Sequence, residues 1–378
     1  MAYREFKRTL WQSVLSFQFD VLSLVPGLIF AASVVELGNL PALVVLYPVF
    51  LSSRGALGGI LSGKLSTALN VGWVRPSLRG NTSYYWALLA SQMPLALLAS
   101  TLYAGIATAS GGDPAVFAAL SLSLSLTLNL LFLPLFSTVA FYSFKAGLDP
   151  DITLYPLMSS VADFAVTVFF VQFARLVLAG DHTPIYALAP MLPALATYTL
   201  IRYREEEVYR KVVVQGSLSI LATALIVATT GAGVSSLVEK GAVEVAAAFP
   251  ALADLLGDAG SAFGSLLTTR LMLGGLETLK KEKAELAGSL AAVAITYVAM
   301  ATAFSAAAAL VMGGDPLASA VTALKASLFS LPTGLAVSAV TAVSTFKLRL
   351  DPDVFVIPLH TCLSDMITAY SLLAATFM

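Results

Sequence analysis

The chain has 378 residues, of which 58% are hydrophobic and 11% charged, with a formal net charge of −1 and a mean hydropathy of +0.86. Soluble domains carry about 25% charged residues, so a water-soluble globular fold is excluded, and no basic tract is present to grip nucleic acid. One cysteine, Cys362, rules out an intrachain disulfide and a cysteine metal cluster, and His182 and His360 are too few for a histidine metal site.

Apolar stretches of the length needed to cross about 30 Å of hydrocarbon recur from end to end. They are too long and continuous for barrel strands, which alternate over about 10 residues. Their backbone must satisfy itself within the bilayer, so they are predicted helices. Residues 2–10 are polar and basic, and no small-residue cleavage site follows the first apolar run. That run, near 12–36, is therefore read as a retained helix. Further crossings are predicted near 40–63, 85–108, 115–142 and 152–179. Residues 183–201 are long enough to cross but carry Pro184, Pro190 and Pro193, which predicts a kinked or partly re-entrant segment. The mixed charges of 202–211 read as a solvated connector. Five more crossings follow near 213–237, 242–268, 286–312, 317–344 and 354–376.

The chain repeats itself. Phe144-Lys145-Ala146-Gly147-Leu148-Asp149-Pro150-Asp151 returns as Phe346-Lys347-Leu348-Arg349-Leu350-Asp351-Pro352-Asp353, an offset of 202 residues from 144 to 346. The same offset maps Asp163 onto Asp365, Pro156 onto Pro358, Asp113-Pro114 onto Asp315-Pro316, and Pro48, Gly55 and Gly58 onto Pro250, Gly257 and Gly260. The fold class expected is an all-α integral membrane protein. A first five-helix repeat (1–180) and a second (212–378) are joined by a linker segment (181–211), about eleven transmembrane helices in all. With a cytoplasmic N-terminus, Arg4, Lys7, Arg8, Arg75, Arg79, Lys145, Arg202, Arg204, Arg210, Lys211, Lys280, Lys281, Lys283, Lys347 and Arg349 fall on the cytoplasmic side, and little beyond Arg175 and Lys240 falls outside. This predicts a multi-pass protein of the cell membrane with its C-terminus outside. The repeats then run parallel, related by a pseudo-twofold along the membrane normal.

Ionisable groups inside a membrane are costly and mark candidate pathways. Asp163 lies about 15 Å into its helix at 1.5 Å per residue, near the midplane, and Asp365 repeats it. Ser160 shares the Asp163 face, and Thr361 and Cys362 lie beside Asp365. The second helix of each repeat carries a proline and clustered glycines, a pattern that permits a broken helix with exposed carbonyls or a close helix approach. Its first copy contains Ser52, Arg54, Gly55 and Ala56. Its second contains Asp254, Gly257 and Asp258, with the two aspartates one turn apart. Asp163, Asp365, Asp258 and, more weakly, Asp254 are the expected cation-contacting acids. Ser52, Gly55, Ala56, Ser160, Gly257 and Thr361 are the expected lining. Hard oxygen ligands select Mg²⁺, Mn²⁺ or Ca²⁺ over soft metals. Arg54 is expected to neutralise an acid such as Asp258 or to snorkel, and Lys325 looks membrane-embedded. Asp113, Asp149, Asp315 and Asp351, each before a proline, read as helix N-caps. Asp151 and Asp353 lie at the cytoplasmic mouth, and Glu36 at the outer boundary. No nucleophile, nucleotide loop or zinc motif suggests an enzyme.

These residues together resemble the MgtE family of magnesium transporters, most closely the duplicated form among the animal solute-carrier magnesium transporters. The resemblance spans nearly the whole chain and rests on 48–72, 250–274 and the two Leu-Asp-Pro-Asp…Pro…Asp segments. It implies paired five-helix units whose second and fifth helices line a central path for Mg²⁺ or another divalent cation, with Asp163 and Asp365 as the membrane aspartates. The family's Gly-Asn element falls on Gly55-Ala56 and Gly257-Asp258, where neither copy has asparagine. The cytosolic sensor domains of bacterial members are missing from this sequence. Channel-like and Na⁺- or H⁺-coupled transport both stay open, as does a proton-coupled carrier of a small organic or anionic solute contacted by Arg54 and Lys325. Besides the ion, the expected surroundings are the lipid bilayer. A monomer with an internal pseudo-dimer is expected, with a homodimer as the alternative.

Overall fold

The computed structural model describes residues 2–146, 150–281, 283–348 and 352–378, without the side chains of residues 2, 150–158, 265–266, 268–281, 342, 345–348 and 352–358. The expected caps Asp149 and Asp351, the mouth residues Asp151 and Asp353, and the side chains of Pro156 and Pro358 lie outside what is described.

The described chain is helical and holds no strand. In order the helices are α1 (Ala2–Phe17), a 3₁₀ turn (Gln18–Ser23), α2 (Leu24–Leu37), α3 (Pro41–Val71), α4 (Ser83–Ala109), α5 (Pro114–Lys145), α6 (Pro150–Leu178), α7 (Thr183–Leu188), α8 (Met191–Tyr203), α9 (Glu207–Glu239), α10 (Val243–Lys281), α11 (Lys283–Met312), α12 (Pro316–Leu348) and α13 (Pro352–Thr376). Among the described residues, nine segments are long and apolar enough to cross a membrane, with α1 through α2 counted as one and α7 with α8 as another.

The local causes are legible. Asp113 caps α5 by accepting from the amides of Ala115 and Val116 at 2.9 and 3.0 Å. Asp315 caps α12 in the same way, from Leu317 and Ala318 at 2.9 and 3.3 Å. Proline follows each cap at the first helical position, where its missing N–H costs nothing. α3 ends at Gly72, whose φ of 84° needs no side chain. The predicted kink in the linker is the break between α7 and α8 at Ala189-Pro190. Two expectations change. The first crossing is interrupted by the 3₁₀ turn, because Pro26 supplies no N–H to the Leu22 carbonyl and its ring crowds that group. The second helices, by contrast, run unbroken through Pro48 and Pro250.

The chain forms two compact units that do not follow the repeats. The first unit contains Met1–Ala31, Ser236–Asp351 and Leu363–Met378, and the second contains Ala32–Ser235 and Pro352–Cys362. In the first unit α10, α11 and α12 pack on one another, and α1 lies along α11, where Thr9 donates to Ser289 at 3.2 Å. Gly27 sits so close to α10 that a Cβ there would overlap the Ala247 carbonyl. In the second unit α3 to α6 pack with α7 and α8, and Gly231 of α9 lies against the Val45 carbonyl of α3. Each first helix therefore packs on the second helix of the other copy. The 1–180 and 212–378 boundaries describe the sequence duplication, and compactness follows a different partition. Exposed leucines such as Leu225, Leu310 and Leu328 suit a lipid-facing surface.

Small residues set these helix approaches, as is usual in membrane bundles. Gly27→Ala is expected to destabilise by about 1–3 kcal/mol, the usual cost of overpacking, read as a lower melting temperature in detergent. Gly105→Ala, whose Cβ would meet open space, should leave it unchanged or slightly raised.

Candidate functional site

In the second unit the candidate residues come from α3, α6 and the first half of α13. Ser159, Asp163 and Thr167 are spaced i, i+4, i+8 and so share one face of α6. Arg54 reaches that face from α3. Its Nη2 lies 2.6 Å from Asp163 Oδ1, with side-chain exposures of 9% and 3%, and its Nη1 donates to Ser159 at 3.2 Å. Thr167 donates to the Asp163 carbonyl at 2.8 Å, and its hydroxyl meets that of Tyr47 at 3.0 Å. Tyr47 and Phe50 then pack edge-on or tilted against Phe170. The ion pair is thus buried, with the Ser159 hydroxyl on its guanidinium, and the next turn of α6 is tied to the aromatic packing of α3 through Thr167 and Tyr47. Breaking a buried pair from one side leaves an uncompensated charge and costs about 3–5 kcal/mol.

The first half of α13 lies on the same stretch of α3. The Cys362 thiol contacts the Ser52 carbonyl at 3.6 Å, and a Cβ at Gly55 would overlap Thr361. Ala56 and Ser53 line a small, mostly apolar cavity with Tyr103, Ile220 and Thr223. Ser52 and Ser160 are buried. In this unit the second-helix glycine is closed by packing.

The first unit presents the corresponding stretch differently. On α10, Asp254 accepts from Ser23 at 2.7 Å. Asp20, 1% exposed, lies three residues before Ser23 on the 3₁₀ turn, where i and i+3 eclipse, so it shares that face. Asp258, one turn after Asp254, is partly exposed, and its Oδ2 is buried with no hydrogen-bond partner among the described residues. Beside it, a Cβ on Gly257 would meet open space. Asp365 is buried in the second half of α13, next to Ser364 and one turn before Thr368. The hydroxyls of Ser364 and Thr368 are buried without a hydrogen-bond partner among the described residues. No three acidic, histidine or cysteine side chains converge into a metal cluster among the described residues.

The expected acids are therefore all placed, three in the first unit and Asp163 in the second. Arg54 pairs with Asp163 rather than Asp258, because α6 is the neighbour of α3 within its unit. Glu36 pairs with Arg175 at 3.0 Å on the exposed rim, where such a pair contributes little. Sequence reasoning missed Tyr47, Ser159, Thr167 and Ser23 as supporting hydroxyls. The i, i+4, i+8 spacing around Asp163 was a readable signal for two of them. It also gave Asp20 no role, although an acid six residues before Pro26 in an apolar run was visible.

The model of the MgtE family, described as a divalent cation transporter, matches residues 47–173 and 249–375. The two matches begin 202 residues apart, the offset of the internal repeat. The chain belongs to this family, in a duplicated form, and is a multi-pass divalent cation transporter. Comparison with curated proteins and with solved structures gave no significant match.

The buried pair predicts non-additive stability. Arg54→Leu should destabilise by about 3–5 kcal/mol, and combining it with Asp163→Asn should recover most of that loss. Thermal unfolding of the purified variants in detergent checks this.

Proposed function

We propose that the transported ion is Mg²⁺ and that Asp258, Asp365 and Asp254 of the first unit contact it along the path. The observation that carries this reading is the Gly257-Asp258 step of α10. There an intramembrane carboxylate is partly exposed beside open space and keeps one oxygen without a hydrogen-bond partner among the described residues. A charged side chain at the centre of a bilayer costs about 2.5–3.5 kcal/mol even by the lower estimates, and a passing cation offsets that cost. Mg²⁺ sheds its waters reluctantly and is held by a few carboxylates through those waters. Carboxylates that do not converge into a metal cluster among the described residues, with hydroxyls nearby, suit such a hydrated ion better than a tight inner-sphere cage. The oxygen-only donor set also disfavours soft metals. The second and fifth helices of that unit supply the acids, with Gly257 and the Ser364 and Thr368 hydroxyls beside them in this reading. A carrier that uses Arg54 to grip an anion is disfavoured, since Arg54 is engaged by Asp163 and Ser159.

Mg²⁺ flux into vesicles holding the reconstituted protein tests this. Asp258→Asn with Asp365→Asn should abolish flux while the protein stays folded, and unchanged flux would remove both acids from the path. Binding also stabilises the folded form by mass action, about 2.7 kcal/mol at a hundredfold excess over Kd. Millimolar Mg²⁺ or Mn²⁺ should therefore raise the melting temperature of the wild type and raise it less in the double variant.

A further inference from the structure

Charge is distributed unequally over the two second helices. The turn Ser52, Arg54, Ala56 of α3 carries one positive charge, and the corresponding Asp254, Leu256, Asp258 of α10 carries two negative charges. The fifth helices do not share this asymmetry, since Asp163 and Asp365 match. One of the two equivalent carboxylates thus faces an arginine from its own copy's second helix, and the other has leucine at that position. We propose that Arg54 is a tethered cation that permanently occupies the ion position at Asp163, so that the duplicated chain keeps one working ion-binding half and has closed the other.

The geometry fits substitution for an ion better than simple packing. The guanidinium meets Asp163 at 2.6 Å and Ser159 at 3.2 Å, a carboxylate and a hydroxyl of the kind a hard cation takes. It is held at less than a tenth exposure, so it is not a solvated or snorkelling end. A guanidinium stays charged at every physiological pH, so the position cannot be vacated by deprotonation. Packing differs at the next residue too: Thr361 fills the space over Gly55 of α3, whereas Gly257 of α10 faces open space.

This inference rests on the reading that acids of the second and fifth helices meet the ion, and one titration separates the two. Mn²⁺ serves as the probe, with free ion measured by electron paramagnetic resonance over the full-length protein in detergent. Wild type should bind Mn²⁺, and a folded wild type that binds none refutes the transport-site reading itself. Arg54→Leu, the residue of the second copy, should bind one more equivalent than wild type, and the gain should vanish in Arg54→Leu with Asp163→Asn. Arg54→Lys, which restores a tethered cation, should show no gain. Arg54→Gln, which keeps an amide toward Asp163, should show the gain if the leucine form does not fold. An unchanged count in a folded leucine or glutamine variant overturns the proposal, as does a gain that survives loss of the Asp163 carboxylate. Failure of both variants to fold assigns Arg54 to the fold alone and overturns it too.

Discussion

A carboxylate placed in hydrocarbon has to be compensated where it stands, because no bulk water is there to do so. Most of what distinguishes this chain follows from how it meets that requirement. In the second unit the Asp163 carboxylate is met by a permanent cation of the protein, Arg54, which the Ser159 hydroxyl also holds. In the first unit Asp254 is met by the Ser23 hydroxyl, and Asp258 stands at an open step of its helix. The first arrangement is a finished structural element. The second suits a cation that comes and goes.

The exchange of first helices gives the two second helices different flanks. The second helix of each copy is flanked by the first helix of the other, so the two flanks have diverged independently. The 3₁₀ turn before Pro26 delivers Asp20 and Ser23 to the face that meets α10. In the second unit, α9 offers Ile220, Thr223 and Val227 beside Ser53 and Ala56. A homodimer built from one repeat would have two identical flanks and could not separate them. Duplication within one chain removes that constraint, and the acids of α10 and the arginine of α3 have accumulated on opposite copies.

Much of this was legible in the sequence. Spans are legible because the bilayer fixes their length, and the duplication because an ungapped offset of 202 residues carries prolines, glycines and aspartates together. The N-caps Asp113 and Asp315 could be read because capping is local. Asp163 and Asp365 stood out because acids are costly at that depth. What could not be read depends on contacts between distant segments. The partner of Arg54 is 109 positions away, from 54 to 163, and either Asp163 or Asp258 satisfied the sequence equally well. The exchange of first helices leaves no trace in the repeat pattern, since both copies carry a first helix in the same place. The 3₁₀ turn was concealed because a proline inside a helix can equally leave it continuous, as Pro48 and Pro250 do.

With Arg54 in place of an ion at Asp163, the two equivalent carboxylates have different occupants, an ion for one and an arginine for the other. Anomalous diffraction from crystals soaked in Mn²⁺ tests this most directly. Manganese density is expected beside Asp258 or Asp365 and none within coordinating distance of Asp163, whose carboxylate stays on Arg54. A manganese peak on Asp163 with the guanidinium turned away would contradict it.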